Sequence, residues 1–152
     1  MKHITIRHLY FSLLFFVVLV VDQMTKLFVA SESFVPLRVV GDFFRIIVHR
    51  NTGIALSIPL PHVVIIFLIP IIILMGLRAL RKEIDFHHPL ALISISLILA
   101  GALGNMLDRL RLGYVVDFIA VSSFPVFNVA DIAISCGIMV LFVGWKTVRN
   151  GS

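Results

Sequence analysis

Four long apolar runs dominate the chain, and the polar residues lie mostly between them. Each run approaches the roughly 20 mostly apolar residues that a helix needs to cross the hydrocarbon core of a bilayer. The predicted spans are Leu9 to Ala30, Pro61 to Ala79, Pro89 to Leu107 and Val129 to Trp145. The pattern therefore predicts an all-α integral membrane protein with four transmembrane helices, in a single domain covering residues 1–152.

Composition supports the same class. Hydrophobic residues make up 60% of the 152 positions and charged residues only 14%, whereas a soluble domain has roughly 25% charged residues. The net charge of +5 does not indicate nucleic-acid binding, because the basic residues are scattered between apolar runs and form no stripe. We expect them to anchor the chain at the membrane surfaces.

The distribution of charge predicts an orientation. The amino end, the loop Arg78 to His88 and the carboxyl tail would share one side, with 7 Lys/Arg against 2 acids, while the other side has 6 of each over longer loops. The denser basic side is expected in the cytoplasm, together with both termini. A cleaved signal peptide is the alternative for the first span, but no small-residue cleavage pattern follows it, and Asp22 to Lys26 continues the segment.

Unusual polar residues fall at the opposite, outer ends of the predicted spans. Acids and amides inside apolar sequence are unfavourable in a membrane and indicate a functional site by default. The group comprises Asp22, Asn51 to Ser57, Asn105, Asp108, Arg109, Asp117, Asn128 and Asp131.

Two of these acids have competing interpretations. Asp117 lies within the β-prone apolar run Tyr114 to Val121, where desolvation would raise its pKa, although it could also be a solvated loop residue. Asp131 stands three residues after Asn128, a pattern typical of a helix N-cap followed by an acid in the first turn. That capping role could be its entire function, or it could operate alongside catalysis.

The remaining chemistry favours paired carboxylates. The sequence has no Gly-x-Ser-x-Gly elbow, no His-Glu-x-x-His spacing and no glycine-rich phosphate loop, so we expect neither a serine hydrolase nor a zinc site. Two aspartates that share a proton can act as base and acid at a single pH, and a reversing loop between Asp117 and Asp131 could bring them together. The alternatives are a proton-coupled small transporter that uses intramembrane carboxylates and an assembly subunit whose polar residues only join helices.

The chain resembles the lipoprotein signal peptidase (signal peptidase II) family along essentially its whole length. The resemblance rests on five motifs that occur in the family's order. They are Asp22-Gln23-x-Thr25-Lys26, Asn51-x-Gly53-x-Ala55, Gly101-x-x-Gly104-Asn105-x-x-Asp108-Arg109, Val115-Val116-Asp117-Phe118 and Phe127-Asn128-x-Ala130-Asp131.

The resemblance implies that Asp117 and Asp131 are the catalytic dyad. It further implies a set of residues that bind substrate or support the site, namely Asn51, Gly53, Asn105, Arg109, Asn128 and Ala130. Asp22, Lys26 and Asp108 would be structural. A small strand-rich cradle would form from Phe34 to Asn51 and the run around Asp117. Ile54 and Leu56 depart from the usual Ala and Phe of the second motif, which could alter inhibitor or substrate preference.

The same resemblance implies an aspartic endopeptidase that needs no cofactor. Its substrates would be diacylglyceryl-modified prolipoproteins, cut just before the lipobox cysteine near the outer face of the bacterial inner membrane. The expected partners are these substrates and membrane lipid, with no nucleic acid, and the protein is expected to be monomeric.

Overall fold

The computed structural model describes residues 2–53 and 62–149, and the side chains of residues 2–8 and of His62 are not described. Ile54 and Leu56, together with the start of the second predicted span at Pro61, lie outside the described residues. The elements in chain order are α1 (Lys2–Val29), β1 (Leu37–Val40), β2 (Phe44–Asn51), α2 (His62–Leu80), α3 (Pro89–Leu112), β3 (Val115–Val121), α4 (Val129–Val143) and α5 (Trp145–Val148).

Three of the helices are long and apolar enough to cross a membrane. The segments that qualify are Leu9–Val29, Val63–Leu80 and Pro89–Leu112. The fourth, α4, has 15 residues, which corresponds to about 22 Å at 1.5 Å per residue. The described chain thus confirms an apolar helical membrane protein with three or four such helices, and a fourth complete span stays a prediction.

Helix α1 begins at Lys2, seven residues before the predicted span, and two other helix ends differ from the predicted ones by more than one residue. Helix α3 continues five residues beyond Leu107, because the polar residues that follow do not interrupt a helix. It ends where Gly113 adopts φ 82° and donates its N–H to the carbonyl of Arg109, a left-handed cap that glycine adopts without steric penalty. Helix α4 ends at Val143, two residues before the predicted end, because the backbone turns at Gly144.

Glycines allow α1, α3 and α4 to approach closely. A Cβ at Gly101 would collide with the backbone carbonyl of Ala130, and one at Gly104 would collide with the carboxylate of Asp22. Small residues at helix contacts are the usual means of close packing in membranes. Helix α2 is attached more loosely, since Ile65 is the one buried residue among those whose burial is described in it.

The strands form one antiparallel sheet in the order β1-β2-β3. Its strands are rich in β-branched residues, which favour this conformation. The sheet confirms the small strand-rich element that was expected around Asp117. Asp117 lies directly opposite His49, and a bulge separates this pair from the next registered pair, Ile46 with Ile119. The sheet therefore carries Asp117 in the middle of its last strand.

An apolar core holds α3, α5 and the loop between α2 and α3 together at the end of the helices away from the sheet. Ile84, Ala91 and Val148 are fully buried there and are packed against by Trp145, among others. Backbone contacts fix the same junction, since Asp85 donates its N–H to the carbonyl of Val148 at 2.7 Å. The loop between α2 and α3 is therefore held against α5.

Candidate active site

Asp117 is buried in β3 and receives hydrogen bonds on both carboxylate oxygens. Asn128 donates from Nδ2 to Oδ1 at 2.6 Å, and Asn51 donates from Nδ2 to Oδ2 at 2.9 Å. Burial raises the pKa of Asp117 to about 6, and the negative charge of Asp131 adds to the rise, while the two amide hydrogen bonds oppose it. The carboxyl group is thus held where it can exist with or without its proton near neutral pH.

Asp131 is half-buried in the first turn of α4. It completes a capping box, in which the side chain of Asn128 accepts from the Asp131 N–H at 2.9 Å and Asp131 Oδ2 accepts from the Asn128 N–H at 3.2 Å. Its other oxygen, Oδ1, accepts a hydrogen bond from Asn105 Nδ2 at 2.8 Å. The helix-capping interpretation is therefore realised, and it leaves Asp131 in contact with the polar cluster around Asp117.

Asn128 connects the two aspartates. It is fully buried, and it contacts Asp117 through its side-chain amide and Asp131 through its backbone. Asn105 Oδ1 also accepts a hydrogen bond from Asn128 Nδ2 at 3.1 Å, so the two asparagines bind each other. Each carboxylate is one hydrogen bond from Asn128, which brings the two predicted acids to the same place.

Both aspartates line one cavity of about 830 Å³. Its polar end also contains Asn51, Asn105 and Arg109. The rest of the wall is mostly apolar and comes from α2, α3, α4 and the loop before α4, as exemplified by Ile72, Ile98, Phe127 and Ile134. Such a cavity can hold an apolar chain against a pair of acids.

Arg109 ties the site to the segment that follows β2. Its Nη2 donates to the carbonyl of Gly53 at 3.0 Å, and its Nη1 donates to the carbonyl of Asn105 at 3.3 Å. Gly53 in turn donates its N–H to Asn51 Oδ1 at 3.0 Å. The guanidinium therefore fixes the end of the strand whose asparagine contacts Asp117.

Close to Asp117 and Asp131, a buried lysine lies between two buried acids. Lys26 Nζ lies 2.9 Å from Asp22 Oδ2 and 3.1 Å from Asp108 Oδ2, and it donates to Asn105 Oδ1 at 2.9 Å. We call these residues, Asp22, Lys26, Asn105 and Asp108, the lysine cluster. It links α1 to α3 and contacts Asp131 and Asn128 through Asn105.

The acids of the lysine cluster also bind the backbone next to Asp117 and next to Asp131. Asp22 Oδ1 accepts the N–H of Ala130 at 2.8 Å, in the first turn of the helix that carries Asp131. Asp108 Oδ2 accepts the N–H of Val116 at 3.1 Å, the residue before Asp117. Ala130 thus contributes its backbone to the site.

Gln23 belongs to the first of the five motifs, but its sequence position gave it no role. Gln23 Nε2 lies 3.2 Å from each of three acceptors, Asp22 Oδ2, the carbonyl of Gly104 and Asp108 Oδ1. Its position beside Asp22 near the end of an apolar run was the available signal. Within residues 2–53 and 62–149, no group of three or more His, Cys, Asp or Glu side chains is arranged to hold a metal ion.

Comparison with known proteins places the chain in a family. The sequence model of signal peptidase (SPase) II matches residues 14–146. The lipoprotein signal peptidase of Moorella thermoacetica is 41% identical over 134 residues, covering 86% of this chain and 89% of that protein. The lipoprotein signal peptidase of Staphylococcus aureus strain JH9 is 35% identical over 132 residues, covering 83% of this chain and 81% of that protein.

Two solved structures, both described as bacterial membrane enzymes determined by the in meso method, have the same fold. One, at 2.3 Å resolution, superposes with a TM-score of 0.78 at 33% identity, covering 91% of this chain and 88% of the other. The second, at 1.9 Å, has a TM-score of 0.74 at 34% identity, covering 89% and 91%. The chain therefore belongs to the signal peptidase II family, a family of membrane-bound aspartic peptidases.

Proposed function

We propose that Asp117 and Asp131 are the catalytic dyad with which this protein cleaves the signal peptides of prolipoproteins. The observation that carries the proposal is the connection of both carboxylates to Asn128 at the polar end of a single cavity. Neighbouring carboxylates cannot both ionise freely, so the pair retains one proton over a range of pH.

That shared proton supports peptide hydrolysis. The ionised member removes a proton from a water molecule, whose oxygen attacks the scissile carbonyl, while the protonated member donates to the carbonyl oxygen. The tetrahedral intermediate then collapses with proton transfer to the leaving amine. The raised pKa of Asp117 favours Asp117 as the member that carries the proton when substrate arrives.

The supporting roles follow from the contacts. Asn51 and Asn128 orient the Asp117 carboxylate, and Asn105 orients that of Asp131. Arg109 positions the backbone at Gly53, beside which the substrate peptide would lie. The lysine cluster holds α1, α3 and the first turn of α4 in the arrangement that the dyad requires.

The apolar cavity wall supports a lipidated substrate. We infer that the substrate is a prolipoprotein bearing a diacylglyceryl group on its lipobox cysteine, cut just before that cysteine. The acyl chains and the apolar signal peptide can remain against isoleucines such as Ile72, Ile98 and Ile134 while the scissile bond meets the dyad. Because the apolar wall of the cavity would lie within the bilayer, those chains would not be exposed to water during cleavage.

We further propose a membrane arrangement for the whole chain as one peptidase domain. Four helices would cross the bacterial inner membrane, with α4 and α5 together forming the last span. Both termini would be cytoplasmic, in keeping with the dense basic segments at that end, and the dyad would lie near the outer face. The protein would act as a monomer, with membrane lipid and its substrates as its partners.

The transporter alternative lacks support. It requires carboxylates distributed across the membrane depth, whereas Asp22, Asp108, Asp117 and Asp131 are all joined in one cluster at one end of the helices.

Cleavage of a diacylated prolipoprotein by the purified, full-length protein tests the dyad. Asp117→Asn and Asp131→Asn should each lose at least about a thousandfold in kcat, because residues that act as one catalytic unit fail together. Asp42→Asn is the matched control, since Asp42 is exposed and pairs only loosely with Arg38, and it should retain full activity. Full activity of either dyad variant would refute the assignment, and equal cleavage of a substrate without the lipid would refute the substrate preference.

A further inference from the structure

A second cavity lies at the end of the bundle opposite the dyad. It is an open groove of about 740 Å³ between the last turns of α2 and the loop that leads to α3. Its apolar floor is made by Leu74, Leu77, Ile84 and Phe86. None of these residues lines the cavity that contains the dyad, so the groove is separate from the peptidase site.

The loop side of the groove is firmly held. Ile84 is buried in the apolar core with Val148. Asp85 donates its N–H to the carbonyl of Val148 at 2.7 Å and accepts the N–H of His88 on its own carbonyl at 3.0 Å. The groove therefore has a fixed wall that requires no ligand to form it.

Two arginines stand at the rim of the groove. Arg78, in the last turn of α2, and Arg81, the first residue beyond that helix, both line it. Over residues 2–53 and 62–149, no carboxylate lies within ion-pair distance of either guanidinium. The nearby acid Glu83 instead lies 3.9 Å from Arg149.

At the end of α2, the carbonyl of Leu80 accepts the N–H groups of Glu83 and Ile84 at 3.0 Å each, and the two arginines place positive charge at the rim. One acid, Asp85, also lines the groove. Its Oδ1 accepts the N–H of His87 at 2.8 Å, and its Oδ2 has no hydrogen-bond donor among residues 2–53 and 62–149.

We propose that this groove binds an anionic phospholipid of the surrounding bilayer. The guanidinium groups of Arg78 and Arg81 bind the phosphodiester, a match in charge and geometry that arginine makes well. The acyl chains lie along Leu74 and Leu77. Asp85 Oδ2 accepts a hydrogen bond from a hydroxyl of the headgroup, which favours a glycerol headgroup over a choline one. Basic pockets between helices at a membrane surface bind lipid headgroups by the same chemistry.

The single tryptophan makes the site directly measurable. Trp145 is the only tryptophan of the chain and packs against the core that includes Ile84. The full-length protein in neutral detergent is mixed with a few mole percent of phosphatidylglycerol whose acyl chains carry bromine, a contact quencher of tryptophan fluorescence. Phosphatidylcholine with the same brominated chains is measured in parallel. We expect phosphatidylglycerol to half-saturate the quenching at a concentration about tenfold lower.

Two double variants test whether the preference for phosphatidylglycerol over phosphatidylcholine depends on the groove. Arg78→Gln combined with Arg81→Gln should abolish the difference between the two lipids. Arg38→Gln combined with Arg111→Gln removes the same charge from exposed positions at the dyad end and should leave the difference intact. Peptidase activity, measured on the same samples, reports whether each variant is folded. Equal quenching by the two lipids, or a preference that survives in the Arg78 and Arg81 double variant, would overturn the proposal.

Discussion

Buried polar side chains fill the space between the helices at the end that carries Asp117 and Asp131, which we call the dyad end. At the opposite end, an apolar core holds the helices together. At the dyad end, Asp22, Lys26 and Asn128 are at most 2% exposed, although each carries a charge or an amide. At the other end the fully buried residues are Ile84, Ala91 and Val148. Apolar burial stabilises without directional requirements, while a buried charge is tolerated only when its partners are correctly placed.

The contrast indicates that the two ends serve different purposes. A hydrophobic core of similar volume could hold α1, α3 and α4 together at least as well as the lysine cluster does. The lysine cluster, however, also binds the backbone at Ala130 and Val116, next to the two dyad residues. We infer that the polar contacts at the dyad end serve to position Asp117 and Asp131, and that the apolar core at the opposite end serves to stabilise the fold.

The largest effect is expected at the centre of the lysine cluster. Lys26→Met would leave Asp22 and Asp108 buried without their cation, and breaking such a pair costs about 3–5 kcal/mol. We expect a large fall in the thermal unfolding temperature in detergent and a loss of peptidase activity. Arg38→Met is the control, because the side chains of Arg38 and Asp42 are 74% and 76% exposed and a pair of that kind contributes little. Comparable small effects from the two substitutions would show that the buried cluster does not depend on its cation.

The next effect separates position from stability at a single residue. Asn128→Ser preserves an N-cap oxygen for α4, since serine and asparagine cap almost equally well. The shorter side chain cannot reach Asp117, however, and the hydrogen bond of 2.6 Å is lost. We expect kcat to fall roughly a hundredfold, as when one oriented donor is removed from an active site, with a smaller fall in unfolding temperature than in Lys26→Met. If Asn128→Ser were as active as wild type, the link between the two aspartates would have no catalytic importance.

The opposite result is expected at the apolar end. Val148→Ala removes two methyl groups from a fully buried position and should lower the free energy of unfolding by about 2 kcal/mol. Because Val148 lies far from the dyad along the bundle, kcat measured below the unfolding temperature should stay within about twofold of wild type. A large fall in kcat without a fall in stability would contradict the division between the two ends.

Much of the site could be predicted from local sequence. The isolated acid within the run Tyr114 to Val121 and the capping pattern of Asn128 with Asp131 both depend on neighbours in the chain, and the structure shows the strand and the capping box. The small sheet around Asp117 was implied by the family resemblance, and it was also confirmed. The continuation of α3 to Leu112 was missed, although the glycine that ends it is visible in the sequence.

The remaining features depend on contacts between distant parts of the chain. The carboxylate of Asp22 meets the N–H of Ala130 108 positions away, and Gln23 meets Asp108 across 85 positions. Periodicity and capping rules contain no information on such pairs, because they describe one element at a time. The groove beside Arg78 was hidden for the same reason, since its wall requires the loop to pack against Val148.

The smallest predicted effect is a pH dependence of stability that arises from Asp117. Burial raises the pKa of Asp117 from 3.8 to about 6, so between these values the folded protein binds a proton that the unfolded chain releases. The stabilisation from that proton is greatest at low pH and is lost as the pH rises through about 6. Between pH 5 and pH 7 the contribution amounts to about 1 kcal/mol.

The unfolding temperature of wild type should therefore fall over this interval relative to that of Asp117→Asn, which has no proton to lose. Val148→Ala should keep the wild-type dependence although its unfolding temperature is lower throughout. If Asp117→Asn followed the same pH dependence as wild type, the carboxyl group of Asp117 would titrate as an ordinary solvated acid, and its burial would have no influence on its proton.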